Sequence, residues 1–219
     1  MAIDVGQKVR HLIADPQERR SIGTYLRKRR WELFRKQFPD IEQMHVLDLG
    51  GVTVHWKKFP IKPLSVTVVN LLPQDSVADS ITAIQGDVCN EIPELRGKSF
   101  DLVYSNSLIE HVGGHARRAD FAANVNKFAP HHWVQTPYRY FPIEPHWLFP
   151  GLQFLPQAMR AKAIRHWPLS PSKPTRESAL AEVLEIELLS RAEMKYYFDQ
   201  SRILSERVLG ITKSLIAVR

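Results

Sequence analysis

Short apolar runs recur along the middle of the chain, each closed by glycine, asparagine or proline. They occupy residues 44–49, 64–71, 81–84, 100–105 and 132–135, and their length and β-branched content predict five strands. Helical periodicity lies between the fourth and fifth runs, over residues 108–115 and 117–128, around Gly113-Gly114. Ahead of the first run, residues 21–38 bring Ile22, Tyr25, Leu26, Leu33, Phe34 and Phe38 near one helical face, with Ser21 or Thr24 as cap and Pro39 beyond the end. Near the C-terminus, Ser190 followed three residues later by Glu193 reads as a capping box that opens a helix through about Gln200. Two strand-like runs, 202–209 and 211–218, then flank Gly210, and so short a turn allows only an antiparallel hairpin.

Strands that alternate with helices or turns build a parallel, doubly wound sheet. The expected fold is therefore α/β and Rossmann-like: five parallel strands plus a C-terminal antiparallel hairpin, seven strands in all. The pattern breaks over residues 137–174, which hold eight of the fifteen prolines together with Tyr138, Tyr140, Phe141, Trp147, Phe149, Phe154 and Trp167. Proline that dense excludes a long regular helix, and the aromatic content argues against disorder. A folded insertion of loops and short helices is expected, with residues 169–176 as an exposed connector. The expected division is a basic helical extension over 1–40 and a main domain over 41–219, with 137–176 inserted after the fifth strand.

Composition changes this picture little, and charge changes it locally. Hydrophobic residues make up 44% and charged residues 24%, enough apolar material for a core in a chain of 219 residues. The single cysteine, Cys89, allows no internal disulfide and points to a reducing, cytoplasmic setting. The first twenty residues lack the apolar stretch of a signal peptide, and no segment has the apolar length of a membrane span. Of the net charge of +7, residues 1–36 carry +6, with ten Lys/Arg against four acids. A nucleic-acid enzyme spreads positive charge around its groove. Confined to one segment, the charge reads as a solvated helix face, with contact to an anionic substrate, a membrane surface or nucleic acid as alternatives.

The chemistry starts at the first strand, which ends in HVLDLGGVTVHW, residues 45–56. A dinucleotide fingerprint would continue with further glycines, but none follows Gly51 until Gly86. Gly50-Gly51 alone is also what an ordinary strand-to-helix turn uses. Taken in order, VLDLGG (46–51), VVNL (68–71), QGDV (85–88) and FDLVYSNSLIEHV (100–112) resemble the class I S-adenosylmethionine-dependent methyltransferases, of the small bacterial type 11 kind. The resemblance covers about residues 44–136 and the tail 190–219.

That resemblance implies a cofactor site. S-adenosylmethionine has no pyrophosphate, so the multi-glycine cradle is not required. Asp48, Gly50 and Gly51 would face its amino-acid end, with His55 and Trp56 shaping that end, where many relatives have a smaller residue. Asn70 and Leu71 would lie at the ribose, Asn70 standing where the family usually has an acid. Asp87 and Val88 would meet the adenine, and Ser105 and Asn106 would line the place where cofactor meets acceptor. His111, after Glu110, recurs in the family as a pocket residue, and it also reads as a packed histidine. Asp101 is expected to be structural.

The acceptor side falls on TPYRYFPIEPHWLFPG, residues 136–151. Methyl transfer to a hydroxyl needs a base or a metal. Glu144 and His146, two residues apart and separated by Pro145, are the candidate pair: His146 as general base and Glu144 as its orienting partner, with His111 as a further catalytic candidate. The same three residues are the candidates for a Mg²⁺ site, although no tight metal spacing compels one. A stable aromatic lid with both groups satisfied internally is the alternative. His131 and His132 are adjacent on a strand, so they face opposite ways and make a poor ligand pair. Tyr138, Arg139, Tyr140 and Trp147 are the substrate-binding candidates; Trp133 offers a further stacking face and Arg165 a further cation.

The function expected is transfer of a methyl group to a hydroxyl of a sugar or lipid-linked glycan, a reading favoured by resemblance to bacterial enzymes that methylate glycans and glycolipids. The alternatives are an RNA or protein methyltransferase and a non-catalytic cofactor-binding subunit. SNSL at residues 105–108 lacks the proline-aromatic motif of base N-methyltransferases, which counts against nucleic acid as partner. The face of helix 21–38 and the C-terminal hairpin are candidate homodimer surfaces.

Overall fold

The computed structural model describes residues 22–219. Ser21 and most of the basic N-terminal extension lie outside the described residues. The chain forms two compact units, one of Phe38–Tyr138 with Glu187–Arg219 and one of residues 22–37 with Arg139–Ile186.

The larger unit holds a seven-stranded sheet in the order β3-β2-β1-β4-β5-β9-β8. Its strands are β1 (His45–Leu49), β2 (Ser65–Asn70), β3 (Ile81–Gln85), β4 (Leu102–Asn106), β5 (His131–Pro137), β8 (Arg202–Val208) and β9 (Ile211–Val218). β1 to β5 pair in parallel, while β9 runs antiparallel to both β5 and β8. The five parallel strands and the C-terminal hairpin are those the apolar pattern indicates, with bounds shifted by one or two residues. Leu209 (φ 50°) and Gly210 (φ 83°) both take positive φ at the hairpin turn, the geometry a two-residue connection demands.

Alternation along the strands divides the two faces. Leu47, Leu49, Val103 and Val134 enter one core with Phe121, Ala122, Val125 and Phe128 of α3 (Gly114–Phe128) and Met194 of α6 (Arg191–Tyr197). Val46 and Asp48 therefore face the other side, where α2 (Thr53–Lys58) supplies Trp56. The capping box that opens α6 is present: Glu193 N–H donates to Ser190 Oγ, and Ser190 N–H donates to Glu193. The helix ends at Tyr197, short of Gln200. His131 is exposed and His132 buried, as alternation requires.

Two helical expectations are corrected. Residues 108–113 are turns, and the only helix before β5 in this stretch is α3, which begins at Gly114. Gly113 (φ 84°) and Gly114 (φ 57°) both take left-handed conformations, so no helix runs through them. In the smaller unit, α1 (Ile22–Gln37) contains Thr24 inside the helix, where its Oγ1 accepts from Arg27 instead of capping. Tyr25 departs from the apolar face: it is 61% exposed and lies under the Arg29 guanidinium, whereas Leu26 and Phe34 are buried.

The insertion folds around its own small core. α4 (Gln157–His166) and α5 (Arg176–Leu184) contribute Ala161, Ile164, Ala179 and Val183, which cluster with Trp147 and Leu152. A two-residue ladder joins β6 (Ile143–Glu144) to β7 (Phe149–Pro150). Short helices separated by proline-rich turns are what the proline spacing allows. Thr175 caps α5 by accepting from Ser178 N–H. The connector ahead of it alternates exposed and half-buried positions after buried Ser170, so it is less exposed than expected.

Candidate active site

The order of the parallel strands reverses between β1 and β4, and a ligand in such a sheet sits beyond the C-terminal ends of the strands at that point. Asp48, Gly50 and Gly51 lie at the end of β1, and Ser105 and Asn106 at the end of β4. Ser105 is fully buried and donates to the Leu49 carbonyl at 2.9 Å, which ties the two strands together. Asn106 is exposed.

Asp48 is 3% exposed, and its Oδ2 accepts the indole N–H of Trp56 at 2.6 Å. Its Oδ1 is buried without a hydrogen-bond partner. Burial pushes the Asp48 pKa up to about 7, against the pull of the Trp56 hydrogen bond. Trp56 is itself buried, edge-on to Phe59 and to Tyr104, and Tyr104 is the residue paired with Asp48 across β1 and β4. His55 of the same turn is exposed.

The glycines are required by contact. A Cβ on Gly51 would stand 1.7 Å from Asp48 Oδ2. Gly50 has φ +83°, and a Cβ there would stand 2.5 Å from the Leu108 side chain. The loop they form is strapped from β2. Asn70 Nδ2 donates to the Gly51 carbonyl at 2.9 Å and to that of Gly50 at 3.3 Å, while its Oδ1 accepts from Leu72 N–H. Gln74 Nε2 donates to the same Gly51 carbonyl at 2.9 Å, and Gln74 Oε1 accepts from Thr53 N–H at 2.8 Å. Leu71, beside Asn70, is exposed.

At the end of β3 the Asp87 carboxylate accepts from Cys89 N–H, from Asn90 Nδ2 and, on both oxygens, from the Arg117 guanidinium at 2.9 Å. Burial works against ionisation, but these donors outweigh it and hold the Asp87 pKa below the ordinary carboxylate value. Val88 is buried, and its carbonyl accepts from Asn124. Asp101, at the opposite end of the sheet, accepts from His45 N–H at 2.7 Å, a structural bond.

Glu110 is fully buried and accepts from the Thr136 hydroxyl at 2.9 Å. His111 is exposed in the turn that follows. Tyr138 is half-buried against the main core, and Trp133 is buried on β5.

In the smaller unit, Glu144 is 2% exposed and shares its carboxylate between two donors: His146 Nδ1 at 2.6 Å and Trp147 N–H at 2.9 Å. A carboxylate accepting from Nδ1 selects the imidazole tautomer with its lone pair on Nε2. Trp147 is a core residue, 4% exposed, and its carbonyl accepts from Trp167 Nε1. Tyr140 is exposed and stacks on Phe154, with ring centroids 6.3 Å apart and 16° between planes.

The sequence motifs thus place Asp48, Gly50, Gly51, Asn70, Leu71, Asp87, Val88, Ser105, Asn106, His111 and Tyr138 in the larger unit, and Arg139, Tyr140, Glu144, His146 and Trp147 in the smaller. The strap through Gln74 and the guanidinium of Arg117 are not foreseen. Neither sits in a motif, and only the fold brings them to the strand ends.

No protein-family profile matches the sequence, and no curated protein matches it. Solved structures do. The methyltransferase domain of a bacterial protein, CtHen1, superposes with a TM-score of 0.56 over 88% of this chain and 98% of its own, at 14% identity. The N-terminal domain of EvdMO1, crystallised with SAH and D-fucose, gives 0.51 over 87% and 80%, at 14% identity. A putative Zn-dependent alcohol dehydrogenase from Rhodobacter sphaeroides gives 0.56 over 87% of both chains, at 13% identity. Together with the strand order, these likenesses give the chain the Rossmann-like fold of the class I S-adenosylmethionine-dependent methyltransferases. A fold hosts more than one chemistry, so activity is a property of the site and not of the fold. No helix among the described residues is long and apolar enough to cross a membrane.

Proposed function

We propose that the protein is an S-adenosylmethionine-dependent methyltransferase that methylates a hydroxyl of a small molecule, a sugar or a lipid-linked glycan. The observation that carries this reading is the buried Asp48 carboxylate with one oxygen unfilled, beside Gly50 and Gly51 at the switch in strand order. A buried acceptor without a donor is costly, and a ligand ammonium would satisfy it. The residues therefore fit the amino-acid end of the cofactor. The fit is of another kind at the ribose and adenine ends, because Asn70 and Asp87 already bond within the protein.

The bound cofactor supplies an electrophilic methyl group on a sulfonium. This chain's residues supply the rest. Asp48 holds the ammonium, and the strapped loop over Gly50 and Gly51 lets the backbone come close. His146 takes the proton from the acceptor hydroxyl, with its tautomer and orientation set by Glu144. The dyad favours a hydroxyl acceptor, since a hydroxyl needs a base near neutral pH. Support for a sugar comes from the SAH and D-fucose complex of the EvdMO1 domain and from the aromatic insertion.

Calorimetric titration with S-adenosylmethionine tests the cofactor claim, and absence of binding below millimolar concentration would refute it. Methyl transfer is then assayed on partly methylated sugars, glycolipids and tRNA, each with and without Mg²⁺. The expected result is transfer to a sugar hydroxyl that His146→Ala slows by about a hundredfold or more. Near wild-type turnover in that variant would remove His146 as base.

A further inference from the structure

Charge is segregated between the two units. Residues 22–37 and 139–186 of the smaller unit carry +7, with twelve Lys/Arg against five Asp/Glu, whereas the larger unit carries −1, with fourteen against fifteen. No Asp or Glu occurs over residues 145–176, a stretch that holds Arg160, Lys162, Arg165, Lys173 and Arg176. A charge distribution this uneven draws the smaller unit, and not the larger, toward anionic surroundings. On α1 the exposed positions Tyr25, Lys28, Arg29, Glu32, Arg35 and Lys36 form one stripe at helical spacing. On α4, Ala161 and Ile164 are buried, and the opposite face exposes Met159, Lys162, Arg165 and His166.

The chain leading into α4 adds apolar surface to this basic face. Arg160 donates to the carbonyls of Gln153 and Leu155, which folds the preceding residues back against the first turn of the helix. Phe154 lies in that fold, 56% exposed, and stacks on Tyr140, which is 55% exposed. Met159, in the same first turn, is 54% exposed. An aromatic pair and a thioether therefore stand in solvent beside cations that no nearby acid in sequence offsets. The exposed leucines of α5, Leu180 and Leu184, differ in setting, since that helix and its end carry Glu177, Glu182 and Glu185.

We infer that the exposed face of α4, with Lys162 and Arg165 as its cations and Met159, Phe154 and Tyr140 as its apolar edge, docks the protein on an anionic lipid bilayer. This rests on the lipid-linked reading above and adds where the acceptor is met, at a membrane surface. Each Lys or Arg held near an anionic leaflet strengthens partitioning by about fivefold. Aromatic and aliphatic tips gain further from the boundary between headgroups and acyl chains. A nucleic acid would satisfy the cations but leave Met159 without an apolar partner. A second copy of the chain would set like charges against each other.

The test is co-sedimentation of the full chain with vesicles of phosphatidylcholine alone and of an equal mixture of phosphatidylcholine and phosphatidylglycerol, with tRNA as a soluble polyanion in a parallel titration. The expected result is binding to the mixed vesicles at low salt, release in about 0.5 M salt, and no binding to phosphatidylcholine alone. Lys162→Gln combined with Arg165→Gln should weaken vesicle binding by about twentyfold. Met159→Gln should weaken it several-fold and leave any tRNA binding unchanged. A thermal melt checks that the variants fold, and if the double variant does not, Lys162→Gln alone and the wild-type titrations decide the matter. Four results would each overturn the inference: equal binding to both vesicle types, undiminished binding by a folded double variant, tRNA bound more tightly than mixed vesicles, or a dimer that the double variant dissolves. A titration with S-adenosylmethionine separates the two claims. Vesicle binding without cofactor binding refutes the methyltransferase reading alone, and cofactor binding without vesicle binding refutes this inference alone.

Discussion

Trp56 donates its indole N–H to the carboxylate of Asp48 at 2.6 Å, eight residues back and on the preceding strand. Among the described residues that bond is the one hydrogen bond the Asp48 side chain makes, and it partly offsets the burial that raises the Asp48 pKa to about 7. Trp56→Phe should keep most of the packing against Tyr104 and lose the donor. The expected cost is about 1–3 kcal/mol near pH 8, where the carboxylate is charged, and less near pH 5, where it is not. Urea denaturation at the two pH values measures the difference, and equal losses at both would contradict it.

The protonation of Asp48 also sets a pH dependence. Its folded pKa lies above the ordinary carboxylate value of 3.8, so the folded protein holds this proton more tightly than the unfolded chain does. The resulting stability is fully present below about pH 4 and is lost as pH rises through about 7. Asp48→Asn should therefore raise Tm by several degrees near pH 8 and have little effect near pH 4. If the carboxylate takes the cofactor ammonium, the same variant should abolish S-adenosylmethionine binding, and wild-type affinity should strengthen with pH up to about 8. Affinity that does not change between about pH 6 and 8 would count against Asp48 as the contact.

Gly51→Ala tests the close approach of loop and carboxylate. A Cβ 1.7 Å from Asp48 Oδ2 cannot be accommodated unless the carboxylate or the loop moves. The expected destabilisation is about 1–3 kcal/mol, as for overpacking elsewhere, together with loss of cofactor affinity. A thermal melt and a cofactor titration check both, and an unchanged melt would show that the loop yields easily.

Asp87 and Arg117 form a half-solvated pair, so its contribution is below about 1 kcal/mol. The Asp87 pKa is lowered, so the contribution is present above the unfolded value and fades as pH falls through the folded one. Asp87→Asn should destabilise slightly near pH 7 and less near pH 2. Chemical denaturation at the two pH values resolves this, and a larger loss in acid would reverse the assigned sign.

Most of the sheet could be read from the chain because apolar runs of four to eight residues, bounded by turn residues, leave little choice of element. Residues 108–113 show where such reading stops: their apolar spacing suits a helix, but the two positive-φ glycines that follow decide the geometry, and composition does not reveal a φ angle. At the site, Asp48 and the glycines stand out because their spacing relative to a strand end is local. Gln74 and Arg117 do not. Each reaches its partner across 23 and 30 residues, and such contacts exist only once β2, β3 and α3 are assembled. Tyr25 shows the same limit at helix scale, since the period alone could not separate it from Leu26.

The carbonyl of Gly51 receives two amide donors, Asn70 Nδ2 and Gln74 Nε2, and Gln74 also holds Thr53 N–H. The glycine loop is thus stiff before any ligand arrives, and little conformational entropy remains to be lost on binding. Association should then proceed as a single fast phase without a slow ordering step, and the Thr53 amide should resist hydrogen exchange even in the empty protein. Cutting the strap with Gln74→Ala would move the cost of ordering onto the ligand, so that affinity falls although no contact to the ligand has been removed.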